Sequence, residues 1–209
     1  MHLTDDRYKR DRLRLELALR LLRHEARTQT IRYWTGLSDD RVRKLFRSYI
    51  KPGAGLRRHR GKSPEQVNYF LRSGVMGAEA HALASILLLF GAIPDQPNPA
   101  SIRKIPTISR GRLLCDAYEA YRRVVPRPRI DFEHAAFLAK ALTAGDEIRL
   151  RFCPACEALN IVEAITLRDP LCRVCDTVMP ERTPTPGRSQ RLTAEPASDT
   201  AKLSVAPKA

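Results

Sequence analysis

Four cysteines stand in two pairs, Cys153-Pro154-Ala155-Cys156 and Cys172-Arg173-Val174-Cys175, separated by fifteen residues. Each Cys-x-x-Cys turn offers two sulfurs to one ion, and the loop between lets the two turns meet. The spacing falls in the range of tetrahedral zinc sites. Zn2+ suits four thiolates because it is borderline-soft and asks only for a tetrahedron. Four protein ligands leave no position for water, so the expected role is structural and not catalytic. An iron–sulfur cluster accepts the same donors and is the alternative. Two other readings are disfavoured. Disulfides do not suit a cytosolic chain, and a thioredoxin-like dithiol needs one Cys-x-x-Cys beside a βαβ pattern, which the sequence lacks. Cys115, in Leu113-Leu114-Cys115-Asp116, reads as a small buried hydrophobe.

A second constellation lies in Thr28–Ile50, TQTIRYWTGLSDDRVRKLFRSYI. Gly36 falls where a tight turn between two helices would stand, and Leu37 follows as an apolar anchor. Ser38 can cap the second helix, with Asp39 and Asp40 favourable at its positive dipole end. Ile31, Trp34, Val42, Leu45 and Phe46 can form a buried seam. That seam turns Arg43, Lys44 and Arg47 outward, the residue types that meet phosphates and guanine edges in a major groove. Ser38 and Arg41 at the start of the helix join them as candidate DNA contacts. Arg32 is an awkward member of the pattern, since the first helix usually has a small residue there. Beyond Lys51-Pro52-Gly53-Ala54-Gly55, a loop by composition, come Arg57, Arg58, Arg60 and Lys62. These read as an arm that tracks a backbone or enters a minor groove.

Charge supports the same assignment. The chain has 209 residues, 37 Lys and Arg against 23 Asp and Glu, and a formal net charge of +14. Residues 1–62 hold 18 Lys and Arg against 7 Asp and Glu, a surplus of 11, and the other 147 residues hold a surplus of only 3. A concentration this lopsided points to a polyanion-facing surface, with an anionic membrane surface as the competing partner. Membrane insertion is not expected. The longest uncharged run, Ala80 to Pro94, is shorter than the roughly 20 residues a spanning helix needs. Residues 1–16 are dense in charge and lack an apolar h-region, so the chain is expected in the cytoplasm.

The elements that must position these groups are mostly helical. Leu3–Glu25 places Tyr8, Leu15, Leu19 and Leu22 at helical spacing, and Leu13, Leu17 and Leu21 widen that stripe toward a partner chain. Ser63-Pro64 reads as the N-cap and first residue of a short helix. Ala78–Ala92 is an apolar core helix, and Pro94, Pro97, Pro99 and Pro106 mark a linker. Further helices are expected over about 110–125 and 131–144, the latter ended by Gly145. Ile148, Leu150 and Phe152 alternate with Arg149 and Arg151 as a strand. From about Glu181 the Pro, Thr, Ser and Ala content predicts a disordered tail. The expected architecture is mainly α, with a helix-turn-helix-like unit in its N-terminal part. Residues 1–145 form a helical region for DNA and partner binding, 146–180 a small zinc-ribbon-like region holding the four cysteines, and 181–209 the tail.

Taken together, these motifs resemble the FlhC family, the C subunit of the bacterial flagellar master transcriptional activator FlhDC. The similarity runs from about Arg12 to Pro180. It rests on the Leu-rich first helix, TGLSDDRVRKLFRSYIKP, AHALASILLLFGA, DAYEAYRR and FCPACEALNIVEAITLRDPLCRVC. The cysteine quartet with the helices before it is the most specific part. The resemblance implies zinc on Cys153, Cys156, Cys172 and Cys175 and no catalytic activity. It also implies assembly with a FlhD-like subunit on double-stranded DNA, and recruitment of RNA polymerase. Relatives on mobile elements control conjugative transfer, so the implied targets are flagellar or mobile-element genes. The long basic loop, the Pro-rich linker and the Pro/Thr tail depart from the family pattern.

Two other classes compete. A zinc-ribbon adaptor would bind RNA or a protein complex without promoter preference. An enzyme would need a carboxylate cluster, a Gly-rich phosphate loop or a nucleophile motif, and the sequence presents none. His2, His24, His59, His81 and His134 stand apart, without ligand spacing.

Overall fold

The computed structural model describes residues 2–50, 55, 56, 59, 61–72, 74–95, 107–167 and 169–178. Most of the Pro-rich linker, the tail from Glu181, and Arg57, Arg58 and Arg60 lie outside the described residues. Helix α1 (His2–Arg23) is followed by α2 (Thr28–Thr35) and α3 (Asp39–Tyr49). A short α4 (Asn68–Leu71) leads to α5 (Val75–Leu89). Then come α6 (Ile108–Val124) and α7 (Phe132–Ala144). Strands β1 (Ile148–Phe152) and β2 (Leu159–Glu163) make an antiparallel hairpin, and α8 (Arg173–Val178) closes the described chain. The fold is mainly helical with a C-terminal cluster of four cysteines, as the sequence leads one to expect.

Local signals explain several helix ends. The hydroxyl of Ser38 accepts the N–H of Arg41, and that of Thr107 accepts the N–H of Arg110. The carboxylate of Asp131 accepts the N–H of His134 at 2.8 Å. Each satisfies one of the orphan donors at a helix start. Gly145 ends α7 in the left-handed region at φ 66°, donating its N–H to Ala141 O. One expectation fails. Ser63 opens no helix, because its hydroxyl is donated to Glu133 Oε2 at 3.2 Å, and the chain becomes helical only at Asn68.

Helix α1 packs on α2, α3 and α6, and α5 packs on α4, α6, α7 and β2. Leu17, Leu21, Ile31, Leu83, Leu87, Leu114 and Tyr121 are the buried centre, each wholly removed from water or nearly so. A buried Leu or Ile contributes about 1.5–3 kcal/mol relative to an exposed one. Gly111 sets the approach of α6, since a Cβ there would stand 2.7 Å from Leu17 Cδ2 and 3.4 Å from the Trp34 ring. The stripe on α1 narrows toward its start. Leu17, Ala18, Leu21 and Leu22 are buried, while Tyr8 is 69% exposed. Ile148 and Ile161 of the hairpin join the same core as the helices.

Candidate metal centre and candidate nucleic-acid face

The hairpin carries the first cysteine pair at its tip. With Phe152 paired to Leu159 at the end of the ladder, residues 153–158 must reverse direction. They do so with Cys153 N–H donated to Ala158 O and Glu157 N–H to Cys153 O, both at 2.8 Å. Glu157 takes the left-handed conformation at φ 59° that this tight reversal requires. The second pair begins just before α8, where Asp176 N–H bonds Cys172 O. Asn160, buried on β2, donates its side-chain amide to Pro170 O at 3.3 Å. Arg151 lies 3.7 Å from the Asp169 carboxylate. These two ties bring the chain back over the hairpin and deliver Cys172 to Cys153.

The four Sγ atoms lie within 4.8 Å of one another. A tetrahedral ion with sulfur ligands at about 2.3 Å needs sulfurs roughly 3.8 Å apart, so the cage has the right size. Cys156 and Cys172 already stand at 3.5 Å. Cys153 and Cys172 are buried, Cys175 is half-buried and Cys156 is exposed. Backbone donors face the sulfurs: Cys172 N–H points at Cys153 Sγ at 3.2 Å, and Cys175 N–H at Cys172 Sγ at 3.4 Å. A hydrogen bond to the charged form favours it, and the one from Cys172 N–H pulls the Cys153 thiol down to about 6. The Cys175 thiol is pushed up to about 12, with hydrogen bonding to Cys156 as the leading cause. Four thiolates crowd one another without a cation between them, so the set cannot be fully ionised unaided. The donor set therefore fits a soft or borderline metal ion. Cys115 is buried away from this cage, and burial raises its thiol to about 12, which leaves it inert.

The α2–turn–α3 unit forms as its sequence dictates. Gly36 sits at φ 68°, donating its N–H to Arg32 O, and ends α2 in the left-handed region. Leu37 is buried behind the turn, and its N–H reaches Thr35 Oγ1 at 3.3 Å. Ile31, Trp34 and Val42 are buried, and Leu45 and Phe46 are half-buried against the same core. Arg41, Arg43, Lys44 and Arg47 face solvent. Ser38 is exposed too, though its oxygen already accepts Arg41 N–H as the helix cap. Lys62 is exposed, and its carbonyl accepts from the Arg27 guanidinium.

Not all of these residues share one surface. An open groove of about 1080 Å³ brings Arg43 and Arg47 of α3 together with Arg27, Arg32 and His59, none of which the sequence offered as a contact. Ser38 lies on the same groove, while Arg41 and Lys44 do not line it. Arg32 could have been found from its register, since it stands off the Ile31–Trp34 seam on the outer face of α2. Asp39 also lines the groove, 3.2 Å from the Arg32 guanidinium, besides its place in the first turn of α3. Asp40 pairs with Arg43 at 3.4 Å. Among the described residues no helix is long and apolar enough to cross a membrane. No protein-family model matches the chain, and no curated protein matches it significantly.

Proposed function

We propose that this chain is the DNA-binding subunit of a bacterial transcriptional activator resembling FlhC. In this reading it acts with a FlhD-like partner in a hetero-oligomer at flagellar or mobile-element promoters and recruits RNA polymerase there. The observation that carries the reading is the α2–turn–α3 unit, whose buried seam leaves Arg43 and Arg47 on an arginine-rich groove. A helix of this kind enters a major groove with its exposed side chains against base edges and phosphates. The surplus of 11 positive charges in residues 1–62 supplies the salt-dependent part of the affinity. The Leu-rich α1, half-buried at Leu13, Leu15 and Leu19, is the surface offered to the partner subunit.

In the same reading Cys153, Cys156, Cys172 and Cys175 hold one Zn2+, which supplies folding energy to a hairpin and a short helix too small for a core of their own. With all four positions taken by sulfur the ion is structural, and the chain performs no catalysis. The test is a mobility-shift titration of the chain, co-purified with its native partner, against promoter DNA. Sequence preference at moderate salt supports the reading, and equal affinity for every duplex counts against it.

A zinc-ribbon adaptor for RNA or a protein complex is the second reading. Its support is the exposed apolar side chains of the cysteine-bearing segment, Ile165 and Leu167 between the two pairs and Val174 within the second, with Leu167 99% exposed. Tighter binding to single-stranded RNA than to duplex DNA in the same titration favours it.

A further inference from the structure

We propose that Arg32 is a backbone-phosphate ligand of the groove and that Asp39 is its built-in competitor, weakening the grip on any duplex. The inference rests on the DNA-binding reading and assigns two residues that the reading leaves without a role.

Arg32 sits on the outer face of α2, with its side chain about half exposed, and it lines the groove that also holds Arg43 and Arg47. It is thus a cation on the first helix of the pair, the helix that crosses the backbone when the second lies in the major groove. A guanidinium presents a planar fork suited to phosphate oxygens. In the chain alone the guanidinium stands beside Asp39 as an ion pair, with Nε 3.2 Å from Oδ1 and no hydrogen bond between them. Asp39 is the acidic residue among the groove-lining side chains, set among Arg27, Arg32, Arg43, Arg47 and His59. A carboxylate placed there gains from the α3 dipole, yet it repels any phosphate that enters.

Two consequences follow from charge alone. A phosphate reaching Arg32 must compete with the Asp39 carboxylate beside it, so part of the Coulomb gain is lost. The penalty is the same for every sequence, because phosphates have no sequence information. Base contacts made by α3 then decide which sites overcome it.

The experiment is fluorescence anisotropy with a labelled duplex of scrambled sequence, titrated at several salt concentrations, using the full chain with its partner. Arg32→Ala should weaken binding several-fold and flatten the slope of log K against log salt by about 1. Arg32→Lys should keep the slope. Asp39→Asn should tighten binding to the scrambled duplex, and should do so less in an Arg32→Ala background. The last sign is diagnostic, since loss of a helix-start carboxylate destabilises α3 and a purely structural role would weaken binding. The proposal is overturned if Arg32→Ala leaves affinity and slope unchanged, or if Asp39→Asn fails to tighten binding. Arg43→Ala separates the two levels. If it weakens binding while the Arg32 and Asp39 variants do nothing, only this inference falls. If the wild-type chain ignores the duplex at low salt, the DNA-binding reading falls with it.

Discussion

Glu133 Oε1 accepts the backbone N–H of Arg27 at 2.6 Å, so a carboxylate from α7 caps α2 from 106 residues away. Arg27 occupies the cap position without a side-chain bond of its own to the helix start. The other oxygen, Oε2, accepts the hydroxyls of Thr30 at 2.9 Å and Ser63 at 3.2 Å. One buried carboxylate thereby ties α2 and the segment after the basic loop to the helical core. Glu133→Ala strands three half-buried donors, and a stranded donor costs about 1–3 kcal/mol when fully buried. Partial rehydration lowers that sum, and we expect a loss of roughly 2–3 kcal/mol in a denaturant titration. Glu133→Gln keeps acceptor capacity on one side and should lose less.

Metal binding should be inseparable from the integrity of the C-terminal end. Cys156→Ser removes one of four donors on the exposed side of the cage. Elemental analysis should then read well below one zinc per chain, and the first thermal transition should fall. Chelation of the wild-type protein should reproduce both effects, since metal affinity here is folding energy. Unchanged zinc content in the variant would remove Cys156 from the site.

Acid should weaken the fold in two stages. His24 is stacked on Phe132 at 5.2 Å and edge-on to Tyr118, and burial lowers its pKa from the ordinary 6.5. The unfolded chain takes up that proton more readily than the folded one, so this contribution is present above 6.5 and lost as pH falls below it. Glu119 is held down to about 2, chiefly by the hydrogen bond from Arg20 at 2.8 Å. Its contribution is present above the ordinary 4.5 and fades as pH drops from there toward about 2. Denaturant midpoints measured against pH should show both windows. Glu119→Gln should flatten the lower one and deepen the upper one, because Glu119 Oε1, 2.9 Å from His24 Nε2, holds the His24 pKa up against burial.

The turn between α2 and α3 can be probed through Gly36. Its φ of 68° leaves open space around a would-be Cβ, so the penalty for replacement is conformational and not steric crowding. Gly36→Ala should cost about 1 kcal/mol. Gly36→Asn should cost less, because Asn tolerates the left-handed region. Melting temperatures that do not rank glycine, asparagine and alanine in that order would contradict the turn geometry.

Features of short range are the legible ones. The cysteine spacing, the Ser38 cap, the Gly36 turn, the Asp131 start of α7 and the β1 alternation are each written within a few residues. The second strand, Leu159–Glu163, is hard to read because LNIVE lacks clean alternation and is buried along most of its length. Glu133 is illegible for a different reason. Its three donors come from the start of α2 and from Ser63, and no local pattern announces a partner so distant in the chain. The same distance explains Ser63, whose cap-like sequence Ser63-Pro64 yields to a hydrogen bond with α7. The groove is half legible: α3 shows its arginines and the register of α2 shows Arg32, while Arg27 and His59 join them only through packing.

Whether the α3 arginines grip duplex DNA is decided by a salt series of anisotropy titrations on wild type and an Arg43→Ala/Arg47→Ala double variant. Wild-type affinity should fall steeply with salt, and the double variant should bind more weakly with a slope flattened by about 2. Indistinguishable curves for the two proteins would contradict that grip.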